Sequence, residues 1–446
     1  MRVPMDTSLT PTSDKSTRSS RLPGFYKLSA KDRLQIVADF ASIPAQELEH
    51  LQSADGLPAD VALCMSENVV GRFSLPLAFA TNFRVNGADY IVPMAIEEPS
   101  VVAAASFAAR LLRKDDGISS IATEPIMIGQ IHFPEPPPRE TLEYIVREHH
   151  EELKKHLDAN HPRLVAAGGG FQYARVRYLS DPDGRPIAVV HLHIDVRDAM
   201  GANAVNSMAE EAAPLFERWT GTRVGLRILS NLPMHRRVKV QGSVLLDTDT
   251  DGPNMSRDEA LRIEEASRFA EVDPYRAVTA NKGVMNGIDA VLLATGQDFR
   301  AVEAAAHAFA SRDGRYSALA RWYVEDNKLY GTMDIPLALG TVGGITAVHP
   351  IVSTTLKILG IQQAQKLSEL VAAVGLAQNL AATRALASEG IQRGHMRLHA
   401  RNIAMLVGAT PEEVPAVVAG MLAREDIKET TARLCLELVR TSGQAH

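Results

Sequence analysis

Four polar side chains stand where they could act on a substrate. Glu98, in PMAIEEPSVVAAAS (93–106), is placed at the start of an apolar helix, and Lys282, in TANKGVMNGID (279–289), lies among polar and glycine residues that would let a substrate reach its ammonium. Asp298, in ATGQDFRAVEA (294–304), precedes a helical pattern, and His395, in EGIQRGHM (389–396), belongs to the C-terminal segment. An ammonium can hold negative charge developing on an oxygen, and a glutamate or histidine beside it can pass a proton. Each residue also has an ordinary explanation. A glutamate at a helix start is favoured by the dipole, lysine is usually solvated, aspartate is a common helix cap, and His395 is one of fourteen histidines. Singly, none of the four defines a site.

The elements that must position them follow from apolar periodicity and turn residues. Ser29 can cap a helix over SAKDRLQIVADFA, and Pro44 can open a second. The stretch ENVVGRFSLPLAFATNFRVNGADYIVPMA predicts a hairpin turning at Asn86-Gly87. Pro99 suits a first helical position, and the alanines that follow suggest a buried helix over 100–113. Between 124 and 233 the order is strand, long polar helix, two strands, helix, strand. This βαββαβ pattern predicts a small ferredoxin-like domain inserted into a larger one. The larger domain resumes with a helix over 256–271, a hairpin at Asp326-Asn327 and Ala-rich helices to about 388. Gly390 and Gly394 would then permit a hinge ahead of a mobile C-terminal lid. The expected class is α+β: a flexible tail (1–21), a large domain (22–123 and 234–389), the insert (124–233) and a helical flap (390–446).

Composition narrows the function. The chain has 446 residues, 46% hydrophobic and 22% charged, with a net charge of −6, which suits several globular domains and gives no general attraction to nucleic acid or anionic lipid. Two distant cysteines, Cys64 and Cys435, argue against a disulfide framework or a zinc site and for a reducing compartment, the cytoplasm. No uninterrupted apolar run approaches the roughly eighteen residues of a spanning helix, so the chain is expected not to cross a membrane. Neither GxGxxG after a strand nor GxxxxGK[ST] occurs, so a dinucleotide would have to bind by another device. One is offered by DAMGAN (198–203), at a strand-to-helix turn, where Gly201 would let backbone amides and the helix start face a pyrophosphate.

Together with ENVVG (67–71), DVRDAMGANAVN (195–206) and DPYRA (273–277), the four opening stretches resemble, in order, those of the 3-hydroxy-3-methylglutaryl-coenzyme A reductases, specifically the soluble bacterial class II. The likeness runs from about residue 22 to the C-terminus. It implies conversion of the thioester to mevalonate and free CoA with two reduced nicotinamides, or the reverse, and no metal. It also implies catalytic roles for Glu98, Lys282, Asp298 and His395: Lys282 stabilises the oxyanion, Asp298 keeps that lysine charged, His395 protonates the departing thiolate and Glu98 the new hydroxyl. Asp198, Met200, Gly201 and Asn203 would contact the dinucleotide. His161 stands where NADH-using members carry an Asp; with Asp158, Lys154, Lys155 and Arg163 nearby, NADH and NADPH both stay open. Ser100, Arg276, Ser230, Asn231 and Asn286 would hold the hydroxymethylglutaryl end, although Arg276 could instead form a structural ion pair. Tyr26, followed by Lys27, occupies the place of a basic residue directed toward CoA. The resemblance further implies a homodimer or an assembly of dimers with the site at the interface. Two other classes compete: a catalytically silent CoA-binding scaffold, and a thioester hydrolase or lyase using Glu98 and His395.

Overall fold

The computed structural model of the chain describes residues 18–53, 56–247, 255–388 and 391–443, the side chains of 391–398 and 442–443 excepted. The chain enters through α1 (Ala30–Ala41) and α2 (Ala59–Met65). Ser29 caps α1, accepting from the Asp32 amide, and Pro44 leads into a 3-10 turn rather than an α-helix. The hairpin of β1 (Leu77–Val85) and β2 (Ala88–Ala95) turns at Asn86 and Gly87, with φ of 50° and 77°, the left-handed pair that a two-residue hairpin turn requires. Next comes α3 (Val101–Leu111), which starts later than expected. Ser100, not Pro99, is its N-terminal flank, at φ 73°. The expected tail is shorter too: Ser20 is fully buried, its amide donating to Asp89 and its hydroxyl to the Phe83 carbonyl. Residues 1–17 lie outside the described part.

After β3 (Ser119–Ala122) the insert follows: β4 (Ile126–Phe133), α4 (Arg139–Glu148), α5 (His150–Asn160), α6 (Pro162–Ala166), β5 (Gly170–Ser180), β6 (Pro186–Asp195), α7 (Ala202–Thr220) and β7 (Arg227–Ser230). The expected long polar helix is interrupted at His149. The four strands form one antiparallel sheet in the order β5-β6-β4-β7, the order a βαββαβ chain gives when its outer strands flank the central pair. Alternate residues such as Val190, Leu192 and Ile194 bury against α7 and the preceding helices in a core of their own.

The rest of the body consists of β8 (Arg237–Leu245), α8 (Arg257–Val272), α9 (Pro274–Ala294), α10 (Phe299–Ala310), β9 (Ala320–Glu325), β10 (Lys328–Pro336), α11 (Pro350–Leu359) and α12 (Ala364–Ala387). A second antiparallel sheet, β3-β8-β10-β9, packs with α3, α8, α9 and α12 around the largest core. Among the described residues α12 alone is long and apolar enough to cross a membrane by length and composition, a property that counting uninterrupted runs overlooked; 67% of its apolar window is buried inside the protein. The closing helices α13 (Ile391–Leu406), α14 (Val414–Ala423) and α15 (Glu429–Gly443) pack on one another around Ala400, Val417, Met421 and Leu436. Gly394 lies within α13 and breaks no helix there.

Candidate active site

Two central helices decide where the chemistry can sit. A Cβ on Gly287 of α9 would lie 2.8 Å from Gln378 of α12, and one on Gly375 of α12 would lie 2.8 Å from Ile288. The two glycines therefore let the helix backbones approach closely, and the start of α3 closes the third side. A cleft of about 680 Å³ opens there, lined by Glu98, Ser100, Arg276, Lys282 and Asn286 among others. Five expected site residues from two distant stretches thus meet in one place.

Within the cleft the Lys282 ammonium donates to Glu98 Oε2 at 2.6 Å. Both groups are partly exposed, with side-chain accessibilities of 58% and 31%, so the pair contributes little stability in open solvent. Its electrostatic effect grows when a substrate displaces the water. Arg276, in the first turn of α9, has its backbone set by the Asp273 cap, yet its Nη1 is buried without a partner. Burial alone lowers its pKa, with no carboxylate opposing the shift. Among the described residues no ion pair holds it. Such a guanidinium suits a ligand carboxylate. Ser100 reaches the cleft in a left-handed backbone that serine rarely adopts, a form of strain common at working sites. Sequence reasoning missed Gln378, a buried amide whose Oε1 has no partner and which also lines the cleft. Its position inside an unbroken apolar helix gave no signal beyond its polarity.

The other expected residues lie elsewhere. Asp298 does not hold Lys282. It caps α10, accepting from the Ala301 amide at 3.1 Å. Lys282 and Ala294 lie twelve positions apart on α9, roughly 18 Å along the axis at about 1.5 Å per residue, and Asp298 stands beyond that end. Ser230 ends β7 at the edge of the small sheet, accepting from the Leu232 amide, and Asn231 is exposed; neither lines the cleft. His395 falls in α13, but its side chain is outside the described residues.

The DAMGAN turn is held by its backbone. Gly201 has φ 100°, and a Cβ there would lie 2.7 Å from Val196. It heads α7, a helix of 19 residues whose N-terminus has no side-chain cap, so free amides remain for an anion. Asp198 Oδ1 accepts from the Ala364 amide at the start of α12, while Met200 offers its carbonyl to Arg236 and Asn203 is exposed. Arg236, unrecognised in the sequence, is the clamp: 4% exposed, it donates to the carbonyls of Ala199, Met200 and Leu339. Burial brings its pKa down to about 10, still charged at neutral pH. His161, between α5 and α6, pairs with Glu211 in the middle of α7 at 3.2 Å, and Asp158 is engaged by Lys154 and the Phe171 amide.

Across α3 lies a second chamber of about 920 Å³, lined by Arg21, Tyr26, Arg33 and Arg110 among others; Phe107 borders both spaces.

An α+β fold with an ammonium–carboxylate pair beside a half-buried arginine whose Nη1 lacks a partner, and with an amide-rich turn at the head of α7, defines an enzyme that takes an anionic substrate and stabilises charge on its reacting oxygen. Residues 29–400 match the family described as hydroxymethylglutaryl-coenzyme A reductase. The chain is 47% identical over 424 residues to 3-hydroxy-3-methylglutaryl-coenzyme A reductase of Archaeoglobus fulgidus, covering 95% of each. It superposes on the solved reductase of Streptococcus pneumoniae with a TM-score of 0.79 and 36% identity, covering 94% of this chain and 99% of that one. A further structure, the class II enzyme of Streptococcus pneumoniae bound to NADPH in open conformations, aligns with a TM-score of 0.78 and 37% identity over 82% of this chain and 99% of that one. The chain belongs to the hydroxymethylglutaryl-coenzyme A reductase family.

Proposed function

We propose that this chain is a class II enzyme interconverting 3-hydroxy-3-methylglutaryl-CoA with mevalonate and CoA, and that its carbonyl chemistry takes place beside Lys282. The observation that carries the assignment is the 2.6 Å Lys282–Glu98 contact in a cleft that also holds a half-buried Arg276 whose Nη1 has no partner among the described residues. The nicotinamide dinucleotide, NADH or NADPH, supplies one hydride in each of two reductions. The Gly201 turn and the uncapped start of α7 fit its pyrophosphate, with Asp198, Met200 and Asn203 around them and His161 toward the ribose.

Arg276, Ser100 and Asn286 bind the hydroxymethylglutaryl end, the guanidinium pairing with the distal carboxylate. Lys282 stabilises the oxyanion as the thioester carbonyl becomes tetrahedral. When the C–S bond of the resulting hemithioacetal breaks, its oxygen re-forms a carbonyl and the sulfur leaves as thiolate, which His395 protonates from the flap. The aldehyde is reduced at the same lysine, and Glu98 passes a proton to the new hydroxyl. The CoA arm crosses Phe107 toward the arginine-lined chamber.

The separation of Asp298 from Lys282 along α9 supports a homodimer in which one protomer's Asp298, Ser230 and Asn231 complete the other's cleft. The large domain then carries the substrate, the 124–233 insert the dinucleotide and the 390–446 flap the proton donor. The free cysteines Cys64 and Cys435 favour a cytoplasmic location.

The assay is purified protein with the thioester and either reduced nicotinamide, following nicotinamide oxidation and thiol release together. Two nicotinamides oxidised per thiol released is the expected result. Thiol without oxidation would identify a hydrolase, and silence in both channels with both cofactors would refute the assignment.

A further inference from the structure

The cleft accounts for Lys282 but not for what holds it. We propose that Asp289, Glu303, His307 and Tyr316 form a positioning device that locks the Lys282 turn of α9 against α10 and so fixes where the Lys282 ammonium stands in the cleft; this rests on the role given above to Lys282.

The geometry is a continuous chain of hydrogen bonds. Asn281, the fully buried neighbour of Lys282, donates from Nδ2 to the Tyr316 hydroxyl at 3.0 Å. That hydroxyl lies 2.7 Å from His307 Nδ1, and His307 Nε2 lies 2.7 Å from Glu303 Oε2. Glu303 in turn acts on Asp289, back on α9, whose Oδ1 is buried without a partner. Two carboxyl groups that interact so closely are served by a shared proton. Asp289 is where it resides, since burial first and Glu303 second push that carboxyl up to about 8. Every donor then has one acceptor. Asp289 and His307 Nε2–H donate to Glu303, Tyr316 donates to His307 Nδ1, and Asn281 donates to Tyr316.

The chain runs along the line where α10 turns back beside α9, from Asp289 near one end to Asn281 near the other. An apolar seam would tolerate sliding, whereas directional polar groups are satisfied together in one register. The Lys282 turn is fastened from other sides as well. Asn281 Nδ2 also donates to the Ser317 carbonyl and its Oδ1 accepts from the Leu319 amide, while Asn379, itself held by Trp322 Nε1, donates to the Ala280 carbonyl. None of the four network residues lines the cleft.

Tyr316→Phe keeps the ring and removes the bridging hydroxyl. It should lower kcat on the order of tenfold for both the thioester and added mevaldehyde, with each KM within about twofold, as expected for misplacement of a group that serves both steps. Asp289→Asn still donates to Glu303 and should retain activity within about twofold, whereas Asp289→Leu should fall as far as Tyr316→Phe. Unfolding midpoints measured alongside separate this from mere support: a structural role lowers the midpoint and spares kcat of the folded enzyme. Unchanged kcat in Tyr316→Phe, or equal losses in Asp289→Asn and Asp289→Leu, would overturn the proposal; His307→Gln replaces Tyr316→Phe if the latter does not fold. Activity in Lys282→Ala would instead defeat the assignment of the cleft. A dead Lys282→Ala beside a fully active Tyr316→Phe would defeat the positioning device alone.

Discussion

The Lys282 cleft and the Gly201 turn are both polar sites on an apolar scaffold, and they are built in opposite senses. In the cleft the backbone is a packed helix and the side chains of Glu98, Lys282 and Arg276 face the solvent space. In the turn the backbone faces outward, and side chains serve from behind: Asp198 secures the start of α12, and Arg236 gathers three carbonyls. A site made of side chains is therefore sensitive to functional-group chemistry, and a site made of backbone is sensitive to shape and support.

The largest effect should come from the cleft. Lys282→Ala removes the charge that meets the oxyanion and should lower kcat on the order of a hundred- to a thousandfold with native circular dichroism retained; steady-state kinetics with thioester and with mevaldehyde measure it, and a loss confined to one substrate would break the idea of a shared lysine. Arg236→Met should act on the fold instead. It leaves buried carbonyls without donors and should cost about 3 kcal/mol or more in urea unfolding, at roughly 1–3 kcal/mol per orphaned group. A shift under about 0.5 kcal/mol, the range of an ordinary surface change, would remove the clamp from the picture. Gly201→Ala sharpens the contrast further. With a Cβ 2.7 Å from Val196 at φ 100°, strain of roughly 1–3 kcal/mol should raise the dinucleotide KM about tenfold and leave the thioester KM within about twofold. An equal rise in both would mean that the turn is shared.

The smallest effect concerns the sheet that carries the turn. His193 on β6 is buried, stacked on Tyr173 and close to His235, and burial, with His235 and His191 adding to it, lowers its pKa from 6.5 to about 4. Between those values the unfolded chain takes up a proton that the folded one refuses. Stability is then fully present above 6.5 and declines as the pH falls toward about 4. Urea midpoints across that window should fall, and His193→Gln should flatten the slope; an unchanged slope would assign the acid sensitivity to other groups.

Much of the scaffold was legible because its signals are local. Asn86-Gly87 turns where both residues tolerate left-handed backbone and Asp326-Asn327 where Asp326 does, Ser29 caps the helix it precedes, and the βαββαβ alternation yields the sheet it implies. Misreadings occurred where a local rule met a tertiary demand. Pro99 satisfies the rule for a helix start, but the chain turns once more at Ser100 to bring Glu98 over α9. Asp298 obeyed its local rule as a helix cap, and that duty, with the length of α9, keeps it from the Lys282 of its own chain.

The sequence alone determined which functional groups are present and where the chain turns, because residue chemistry and local backbone preferences are properties of short segments. It also supplied Gly201, whose lack of a Cβ is a requirement at a single position. Tertiary structure decided that Glu98 meets a lysine 184 residues away, that Gln378 faces the same cleft, and that Arg236 stands behind the Gly201 turn. Those contacts depend on the close approach of α9 and α12 and on the seating of the insert against residues 338–342 and the start of α12, where the free energy comes from burial shared among many residues.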